Sequence, residues 1–594
     1  MSRHHASDTI TPLDTPLSQK FAARLRLLRL LALLCTTLAF ASATMAEPPQ
    51  LKIKGLTRSA AQNLRIHLDA LGDDLSQDTL RSRRMIDKAL HNALQPFGYY
   101  AAQYSLKREN GLLTITVERG PRVLFISPDI QVGAPADTHP AIAKMIREAP
   151  VAAGSSLSHQ RYDDFRDDLL QTSRRLGFFE ARYTLSELRV DAVRLEAQAR
   201  LHLEPGPRYS FAETRISGTQ LDTTLLDMLA GFQAGDPFDR ELVARFERRL
   251  RDTGYFREMV LKVELEPEAK ARVIVLAQDN TTSRYDVGVG FSTDSELRLR
   301  FNRHTPLINS AGHSLSIESE ISEPRQAVEG IYRIPHHDPL SDILELTAGL
   351  QGKRIEDTDS KVATMGIRHA LKLFGDWSYN YGLSAEFERY TIGSETEKDV
   401  AYLLPATSIS RTRLDPGIDP MSGYSYWSSF DFSTRELGAS ADFTRWRGSA
   451  KWLFQLPDAN TTVLSRVELG AIWTDGFNQV PASLRFAAGG DNSIRGYDIE
   501  SIGPRDDNGK LTGGRYLSVG SVEISRRVLP TWRIAAFVDG GSAFNEKHDK
   551  FYQSAGIGVR WLSPVGQIRV DVAMPIQDRE NSGFKLHISM GPPL

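Results

Sequence analysis

The chain has a single cysteine, little net charge, and no long apolar run beyond its first 46 residues. Its 594 residues include 72 lysines and arginines against 74 aspartates and glutamates, so the formal net charge is −2. Such a balance excludes a general electrostatic attraction to nucleic acid. One thiol cannot form an internal disulfide, so stability must come from packed cores or from closed sheet. No later stretch approaches the roughly 18 consecutive apolar residues that indicate a transmembrane helix.

The first 46 residues have the pattern of a secretory signal peptide. Four basic residues between positions 20 and 29 lead into an apolar core that ends at Phe40, and small residues follow. Cys35 lies within this core, and the preceding Leu34 is too large for a lipoprotein cleavage site. Cleavage is expected after Ala43 or Ala46, and we place it after Ala46. Residues 1–46 are therefore predicted to be removed, which leaves a mature chain without cysteine.

A repeated unit occupies the next part of the chain. A glycine followed by two aromatic residues recurs at Gly98, Gly177 and Gly254, 79 and then 77 residues apart. Each glycine follows a helical apolar pattern, and alternating strand patterns come after it. The sequence predicts three β-α-α-β-β modules, at residues 47–120, 121–206 and 207–280. Spacing alone is equally compatible with a generic α+β repeat that has no binding role.

From residue 281 onward, helical periodicity gives way to alternation that continues to residue 594. Val287 and Val289 alternate with Gly288 and Gly290, and Val570 is flanked by charged residues on the opposite face. Apolar residues on one face and charges on the other are typical of a membrane barrel with a wet lumen. The pattern predicts about sixteen strands of roughly 20 residues each, connections included. A soluble β-rich domain is the alternative.

One connection, at residues 475–514, is far longer than a hairpin loop needs and is either disordered or functional. Arg495 within it offers a planar fork of donors, and Glu523 and Asp539 are expected to face it across the lumen. Composition alone favours an exposed loop with a solvated arginine. The residues that mark the segment are Gly489, Gly490, Ile494, Arg495, Gly496 and Tyr497.

Together these features resemble the Omp85 superfamily, whose members carry polypeptide-transport-associated (POTRA) repeats before a barrel. The segment 494–497 resembles the superfamily's Arg-Gly-aromatic loop motif, and residues 537–541 resemble the strand motif whose carboxylate receives the arginine. Residues 563–566, with Arg569 and Asp571 and the final Gly591-Pro592, resemble the TamA branch. The number of repeats and the terminal Leu594, where many outer-membrane barrels end in an aromatic residue, depart from other branches.

The resemblance implies an outer-membrane barrel with POTRA repeats in the periplasm. It implies an assembly factor that inserts or translocates autotransporters and other barrel proteins among outer-membrane lipids, with an inner-membrane-anchored TamB-type partner. It also implies that Asp539 and Glu523 anchor Arg495, and that the barrel opens at a lateral seam between its first and last strands. The seam residues expected are Tyr285, Gly288, Gly290, Phe584 and Leu586.

Two other functions stay open at this point. One is a two-partner secretion pore that passes a dedicated substrate through its lumen. The other is a periplasm-spanning scaffold for the delivery of phospholipid to the outer membrane.

No enzymatic chemistry is expected from the sequence. It contains no phosphate-binding loop, and the strand glycines at 288 and 290 lack the helix that a dinucleotide site requires. His336 and His337 are metal-ligand types, but adjacent imidazoles in a proline-bounded turn are expected to point apart. The sequence therefore predicts a solvated turn there, and neither a metal nor a cofactor elsewhere.

Overall fold

The computed structural model describes residues 50–75, 78–109, 112–417, 419–546, 549–564, 566–576 and 583–590. The predicted signal peptide, Val565 and Gly591-Pro592 lie outside these residues. The chain divides into two compact units, Met1–Arg208 and Tyr209–Leu594. The first unit contains the first two repeats, and the second contains the third repeat and the barrel. No helix among the described residues is long and apolar enough to cross a bilayer.

The first repeat is a three-stranded sheet covered by two helices. Its last strand pairs in parallel with its first strand and antiparallel with the strand between them in sequence. Leu113, Ile115 and Val117 alternate inward from the last strand and are buried against the helices, as a half-buried strand requires. The elements are β1 (Gln50–Lys54), α1 (Arg58–Asp69), α2 (Leu80–Leu94), β2 (Gln103–Glu109) and β3 (Leu112–Glu118).

The second repeat has the same order, except that its first strand is split. The two short pieces both pair in parallel with the last strand, and Pro128 lies between them. Proline lacks the N–H that a continuous ladder needs, so it interrupts the strand. The elements are β4 (Leu124–Phe125), β5 (Asp129–Val132), α3 (Pro140–Arg147), α4 (His159–Arg175), β6 (Arg182–Asp191) and β7 (Glu196–Glu204).

The first strand of the third repeat is also split, and this repeat has an aromatic core. Phe211 stacks on Phe232 at 4.0 Å between ring centroids, and Phe246 packs edge-on against Phe232. Its elements are β8 (Ser210–Phe211), β9 (Arg215–Ser217), α5 (Thr223–Ala230), α6 (Arg240–Asp252), β10 (Phe256–Glu266) and β11 (Lys270–Asp279). The predicted β-α-α-β-β order is thus confirmed in all three repeats.

The recurring glycine has a conformational reason. Gly98, Gly177 and Gly254 have φ values of 84°, 95° and 71°, in the left-handed region that other residues avoid. Each one follows the second helix of its repeat and turns the chain into the next strand. The repeat spacing therefore marks the point where a helix must end.

The third repeat is attached to two barrel turns within the same unit. The buried hydroxyl of Tyr255 donates to the carbonyl oxygen of Gly312 at 2.9 Å. The Arg249 guanidinium donates to Asp338 at 3.0 Å and to the Leu229 carbonyl at 3.1 Å. These contacts connect the repeat to the turns after the second and fourth barrel strands.

Sixteen antiparallel strands close into a barrel, which confirms the prediction. They are β12 (Arg284–Ser292), β13 (Glu296–Thr305), β14 (Ser314–Ile321), β15 (Arg325–Asp338), β16 (Asp342–Ile355), β17 (Thr358–Lys372), β18 (Ser378–Ile392), β19 (Lys398–Leu414), β20 (Gly423–Ser433), β21 (Phe443–Gln455), β22 (Thr461–Thr474), β23 (Tyr516–Leu529), β24 (Trp532–Phe544), β25 (Tyr552–Ser563), β26 (Gly566–Pro575) and β27 (Lys585–Met590).

The two faces of the barrel differ in polarity. Val287 and Val289 on β12 are 74% and 61% exposed on the outer face, and Ile557 on β25 is also exposed there. The alternate positions of β25 and β26 point inward, where Arg560 and Asp571 are buried. An apolar outer band and a polar lumen are the arrangement that lipid imposes on a closed sheet.

The ladders around the barrel are very uneven. Fourteen residue pairs join β16 to β17, and fifteen join β17 to β18. A single pair, Ser292 with Ser589, joins β12 to β27 among the described residues. We call this closure between the first and last strands the seam.

Candidate functional site

Residues 475–514, which we call the inward loop, pack inside the barrel. Ile494 and Tyr497 are buried in one apolar cluster with Phe486 of the loop and with Leu517 of β23. Gly489 and Gly490 have φ values of 109° and 99°, and the amide of Gly490 donates to the carbonyl of Ile494 at 3.2 Å. The two glycines thus permit the tight turn that presents Arg495 to the lumen wall.

The inward loop also reaches the opposite wall. The Ser483 amide and hydroxyl both donate to Glu388 on β18, at 3.0 and 2.6 Å. Lys353 on β16 lies 2.6 Å from Glu500, and the Leu511 amide donates to Asp357 in the β16–β17 hairpin. The inward loop therefore crosses the lumen and contacts both sides of the barrel.

Arg495 is held mainly by Asp539 on β24. Its backbone amide and Nε donate to Asp539 Oδ2 at 3.1 and 2.8 Å, and its Nη2 donates to Oδ1 at 2.9 Å. The hydroxyl of Ser521 on β23 donates to the same Oδ1 at 2.6 Å. The two side-chain hydrogen bonds from Arg495 to Asp539 form a bidentate pair, which is the geometry in which an arginine binds a carboxylate most strongly.

A second arginine extends the pair into a network. Arg495 Nη1 donates to Glu523 at 2.8 Å and to Asp571 at 3.2 Å. Arg560 bridges the same two carboxylates, at 2.7 Å from Glu523 Oε2 and 2.6 Å from Asp571 Oδ1. We call these four residues, together with Asp539, the arginine network. It connects β23, β24, β25 and β26 through charged hydrogen bonds.

The arginine network is almost completely removed from water. Asp539 is fully buried, and Arg495 and Arg560 are 6% and 2% exposed. The Arg495 guanidinium also lies over the Phe537 ring, 3.3 Å from its centroid. Breaking a buried ion pair by removing one partner leaves an uncompensated charge, which costs about 3–5 kcal/mol. The arginine network therefore fixes the tip of the inward loop to one register.

A second contact of the inward loop lies at the seam. His587 on β27 accepts from the Gly496 amide through Nε2 at 2.8 Å and contacts Asp491 through Nδ1 at 2.5 Å. Asp491 receives the hydroxyl of Thr293 at 3.1 Å, and its amide donates to Asp294 at 2.5 Å. Thr293, Asp294, Asp491 and His587 thus form a seam clasp. It connects the first hairpin, the inward loop and the last strand.

The geometry of the seam clasp indicates a hydrogen-bonded contact and not a metal site. Asp294, Asp491 and His587 have ligand atoms close enough together for one ion. However, Nε2 of His587 accepts from an amide, so Nδ1 of the neutral imidazole carries the proton that it donates to Asp491. Both ring nitrogens are then occupied, and neither has a free lone pair for a metal.

Models of known protein families match three parts of this chain. A model described as the Omp85 superfamily domain matches residues 309–592. A model described as POTRA domain TamA domain 1 matches residues 50–119, and a POTRA model described as surface antigen variable number repeat matches residues 209–283. The chain thus carries an Omp85 superfamily domain preceded by POTRA repeats. Its barrel lies in the outer membrane, and its POTRA repeats lie in the periplasm.

Relatives of this Omp85 chain include two curated proteins named outer membrane protein assembly factor BamA. One, from Nitratidesulfovibrio vulgaris, is 24% identical over 60% of this chain and 48% of its own length. The other, from Neorickettsia risticii, is 21% identical over 65% of this chain and 55% of its own length. The chain thus spans about half the length of the curated relatives that it matches.

A solved structure supports the fold. The crystal structure of BamA from Haemophilus ducreyi lacking POTRA domains 1–3 has a TM-score of 0.68 and 16% sequence identity. The match covers 78% of this chain and 99% of that one.

The structure places the predicted Omp85 loop motif inside the barrel. Ile494, Gly496 and Tyr497 are buried beside Arg495, whose backbone and side chain contact the predicted partner Asp539. Glu523, the second predicted partner, contacts Arg495 and also receives Arg560.

The predicted seam residues lie away from the backbone pairing of this Omp85 barrel. Tyr285, Gly288 and Gly290 are on β12. In an antiparallel ladder that continued from the Ser292–Ser589 pair, Gly290 would lie opposite residue 591, which is outside the described residues. Leu586 on β27 pairs with Val572 on the other side, and Phe584 precedes the strand. The described backbone contacts at the seam are the Ser292–Ser589 pair and the Thr293 amide, which donates to the Ile588 carbonyl at 3.1 Å, because β27 is only six residues long and meets the end of β12.

Several functional residues were missed by sequence reasoning. Asp571 and Arg560 had a signal, since both are charged residues on the lumen face of alternating strands. Their meeting with Arg495 depends on strand register, which alternation does not give. The seam clasp residues had no signal, because Asp491 and His587 are 96 positions apart in the sequence.

At residues 335–339 the histidine side chains are exposed as expected, but they belong to the end of β15 and their predicted orientation is wrong. The imidazoles of His336 and His337 do not point apart. Their Nδ1 atoms lie 3.5 and 3.0 Å from the two carboxylate oxygens of Asp342, on the next strand. A bulge in β15 is the physical reason.

Proposed function

We propose that this chain is an outer-membrane assembly factor that promotes insertion and translocation of autotransporters and other β-barrel proteins through its lateral seam. The role is non-enzymatic, because strand pairing and lipid insertion need no bond-making chemistry. BamA relatives that are named as assembly factors support the class of function. The TamA-type match of the first repeat supports the branch.

The single observation that carries the proposal is the sparse backbone pairing at the seam. An edge strand with unpaired N–H and C=O groups is a template for another strand. Among the described residues, β12 and β27 share one ladder pair, so the described strands leave most of β12 as such an edge. A client strand therefore has a site for pairing that faces the lipid directly.

The lumen is less suited to passage. The inward loop crosses it from β16 and β18 to β26, and the arginine network holds its tip in place. A two-partner secretion pore would require this loop to leave the lumen, at the cost of breaking buried ion pairs. A phospholipid scaffold would require neither seam opening nor loop release.

The POTRA repeats are proposed to bind clients and an inner-membrane-anchored TamB-type partner. Among the described residues, β2, β6 and β10 each pair on one side only, so each repeat presents a sheet edge. Strand addition to such an edge recognises extended backbone and tolerates many side-chain sequences. This tolerance suits a protein that handles several clients.

A cysteine pair across the seam tests the proposal. Residues 50–594 contain no cysteine, so a Ser292→Cys, Ser589→Cys variant would carry only the introduced thiols. Directly opposed residues in antiparallel strands have Cα atoms about 4.5–5.5 Å apart, which suits a disulfide. The variant is reconstituted in liposomes, oxidised, and assayed for folding of an autotransporter barrel before and after reduction.

The matched control is Ser378→Cys, Ser410→Cys, a serine pair in direct register between β18 and β19. We expect oxidation to stop client folding in the seam variant, reduction to restore it, and the control to remain active throughout. Full client folding by a completely crosslinked seam would overturn the proposal. Ion conductance that persists in the locked barrel would then favour the pore.

A further inference from the structure

Three imidazoles surround one carboxylate on the outer face of the barrel, near the attachment of the third repeat. His336 and His337 are at the end of β15, Asp342 begins β16, and His369 is on β17. We call these four residues the histidine cluster. None of them contacts the inward loop, the arginine network or the seam clasp in any described hydrogen bond or ion pair.

The convergence of the two adjacent histidines follows from a bulge. Pro335 pairs with Ile343, but the next pair joins Asp338 to Asp342, so two residues on β15 have no opposite neighbour. Those two residues are His336 and His337. A bulge of this kind turns side chains that would alternate onto the same side, and both Nδ1 atoms face Asp342.

We propose that His336, His337 and Asp342 form a binding site for a divalent first-row transition metal such as Zn²⁺. One ligand atom from each residue lies within 4.8 Å of the other two, so a single ion can reach all three, and it would replace the proton that His337 Nδ1 donates to Asp342. Two imidazoles and one carboxylate are a common ligand set for such metals, with water in the remaining position. Hard cations such as Mg²⁺ and Ca²⁺ prefer oxygen ligands alone.

His369 is a positioning residue for this site. Its Nε2 lies 2.5 Å from Asp342 Oδ1 and its Nδ1 lies 2.7 Å from the Tyr381 hydroxyl. Because an ionised carboxylate only accepts, Nε2 carries the proton, and Nδ1 of the neutral ring accepts from Tyr381. Such a contact orients the carboxylate toward the metal while leaving a ligand oxygen free.

The site is open to ions and lies beside a structural joint. The side chains of His336 and His337 are 54% and 76% exposed, so an ion can enter without opening the barrel. Asp338, the next residue, receives Arg249 from the third repeat. A bound ion would join β15 to β16 across this hairpin and stiffen the turn to which the repeat is attached.

Metal titration of the full chain in detergent tests the inference. The protein carries a tag without histidine, and binding of Zn²⁺ is measured by calorimetry, with Co²⁺ absorption as a spectroscopic readout. We expect one site per chain that excess Mg²⁺ does not displace. His336→Ala with His337→Ala should abolish it, and His369→Ala should weaken it by about 10- to 100-fold and shift the Co²⁺ spectrum.

The matched control is His304→Ala with His313→Ala, because both imidazoles make side-chain hydrogen bonds away from the cluster. Circular dichroism and heat-modifiable mobility check that every variant is folded. Binding that survives in the His336, His337 variant, or no binding above the level of that variant, would overturn the inference. Neither result bears on the seam, so this test is independent of the proposed assembly function.

Discussion

The two sides of the seam are stabilised by different parts of the chain. On one side, β23–β26 are connected to the inward loop by the arginine network, and β27 is connected to it through His587. On the other side, the turns after β13 and β15 are connected to the third repeat by Tyr255 and Arg249. We call them the loop-bound side and the repeat-bound side. In the part of the chain that the structure describes, one ladder pair, the hydrogen bonds between Thr293 and Ile588 and the seam clasp lie between them.

This difference indicates which side moves if the seam opens. Buried charge pairs resist local rearrangement because each partner left alone is a desolvated charge. Among the described residues, the repeat-bound side has neutral hydrogen bonds from the Tyr255 hydroxyl and from the Asp222 amide, which donates to Ser310, and one partly exposed ion pair, and these contacts are worth less. The loop-bound side therefore keeps its shape, and we expect β12–β15 to move with the third repeat.

The largest effect is expected from breaking the loop-bound side with Arg495→Ala. The substitution leaves the buried carboxylate of Asp539 without its arginine partner, because Arg560 contacts Glu523 and Asp571 instead, and this costs the docking of the loop about 3–5 kcal/mol. We expect residues 475–514 to become sensitive to protease, and client folding to slow, while the barrel keeps its heat-modifiable mobility.

Arg505→Ala is the matched control, since Arg505 is in the same loop but half exposed, with its nearest carboxylate at 4.0 Å. Its effect should stay within about 1 kcal/mol. An inward loop that resists protease equally in the Arg495 variant and in the parent would contradict the assigned role of the arginine network.

A smaller effect is expected from His587→Ala, which removes the side-chain contact between β27 and the inward loop but keeps the Ser292–Ser589 pair. The change removes the acceptor for the Gly496 amide and the donor to Asp491, and each buried group left unpaired costs about 1–3 kcal/mol. We expect faster exchange of the amides at residues 291–294 and 586–589. His304→Ala, which removes a lumen imidazole on β13, should leave that exchange unchanged.

Tyr255→Phe should loosen the repeat-bound side by about 0.5–1.5 kcal/mol, because it removes one hydrogen bond and keeps the ring. We expect faster amide exchange at residues 306–313 only. Tyr104→Phe, which removes an exposed hydroxyl of the first repeat, is the control. Equal exchange in the variant and the parent would mean that Tyr255 contributes packing alone.

The smallest effect concerns a contact remote from both sides. Burial lowers the pKa of His159, which lies 2.9 Å from the Tyr100 hydroxyl. The folded chain therefore favours the neutral imidazole of His159. The contribution of this residue to the free energy of unfolding is complete above its unfolded pKa of about 6.5, and it is lost as the pH falls through the lower folded pKa. Urea unfolding followed by far-ultraviolet circular dichroism should show a lower midpoint in acid, and His159→Gln should reduce that change.

Much of the fold could be predicted because its periodicities are long and consistent. The alternation of apolar and polar residues in β12 and β26 predicted a sheet with two differently solvated faces. The recurring glycine predicted the ends of three helices. The loop motif was predictable because Arg495 and Asp539 belong to a recognisable pair. What could not be predicted depends on register. The bulge at His336 and the meeting of Asp491 with His587 depend on which residues lie opposite each other, and local pattern does not encode this.

The attachment of the third repeat has a mechanical consequence. Tyr255 and Arg249 form hydrogen bonds with the turns that follow β13 and β15, and the inward loop forms hydrogen bonds with strands on the other side of the seam. A force applied along the repeats, by a bound client or a periplasmic partner, would thus pull on the repeat-bound side of the seam. The arginine network would hold the loop-bound side in place. The third repeat would then act as a lever on β12–β15, and the folding of a bound client would supply the force.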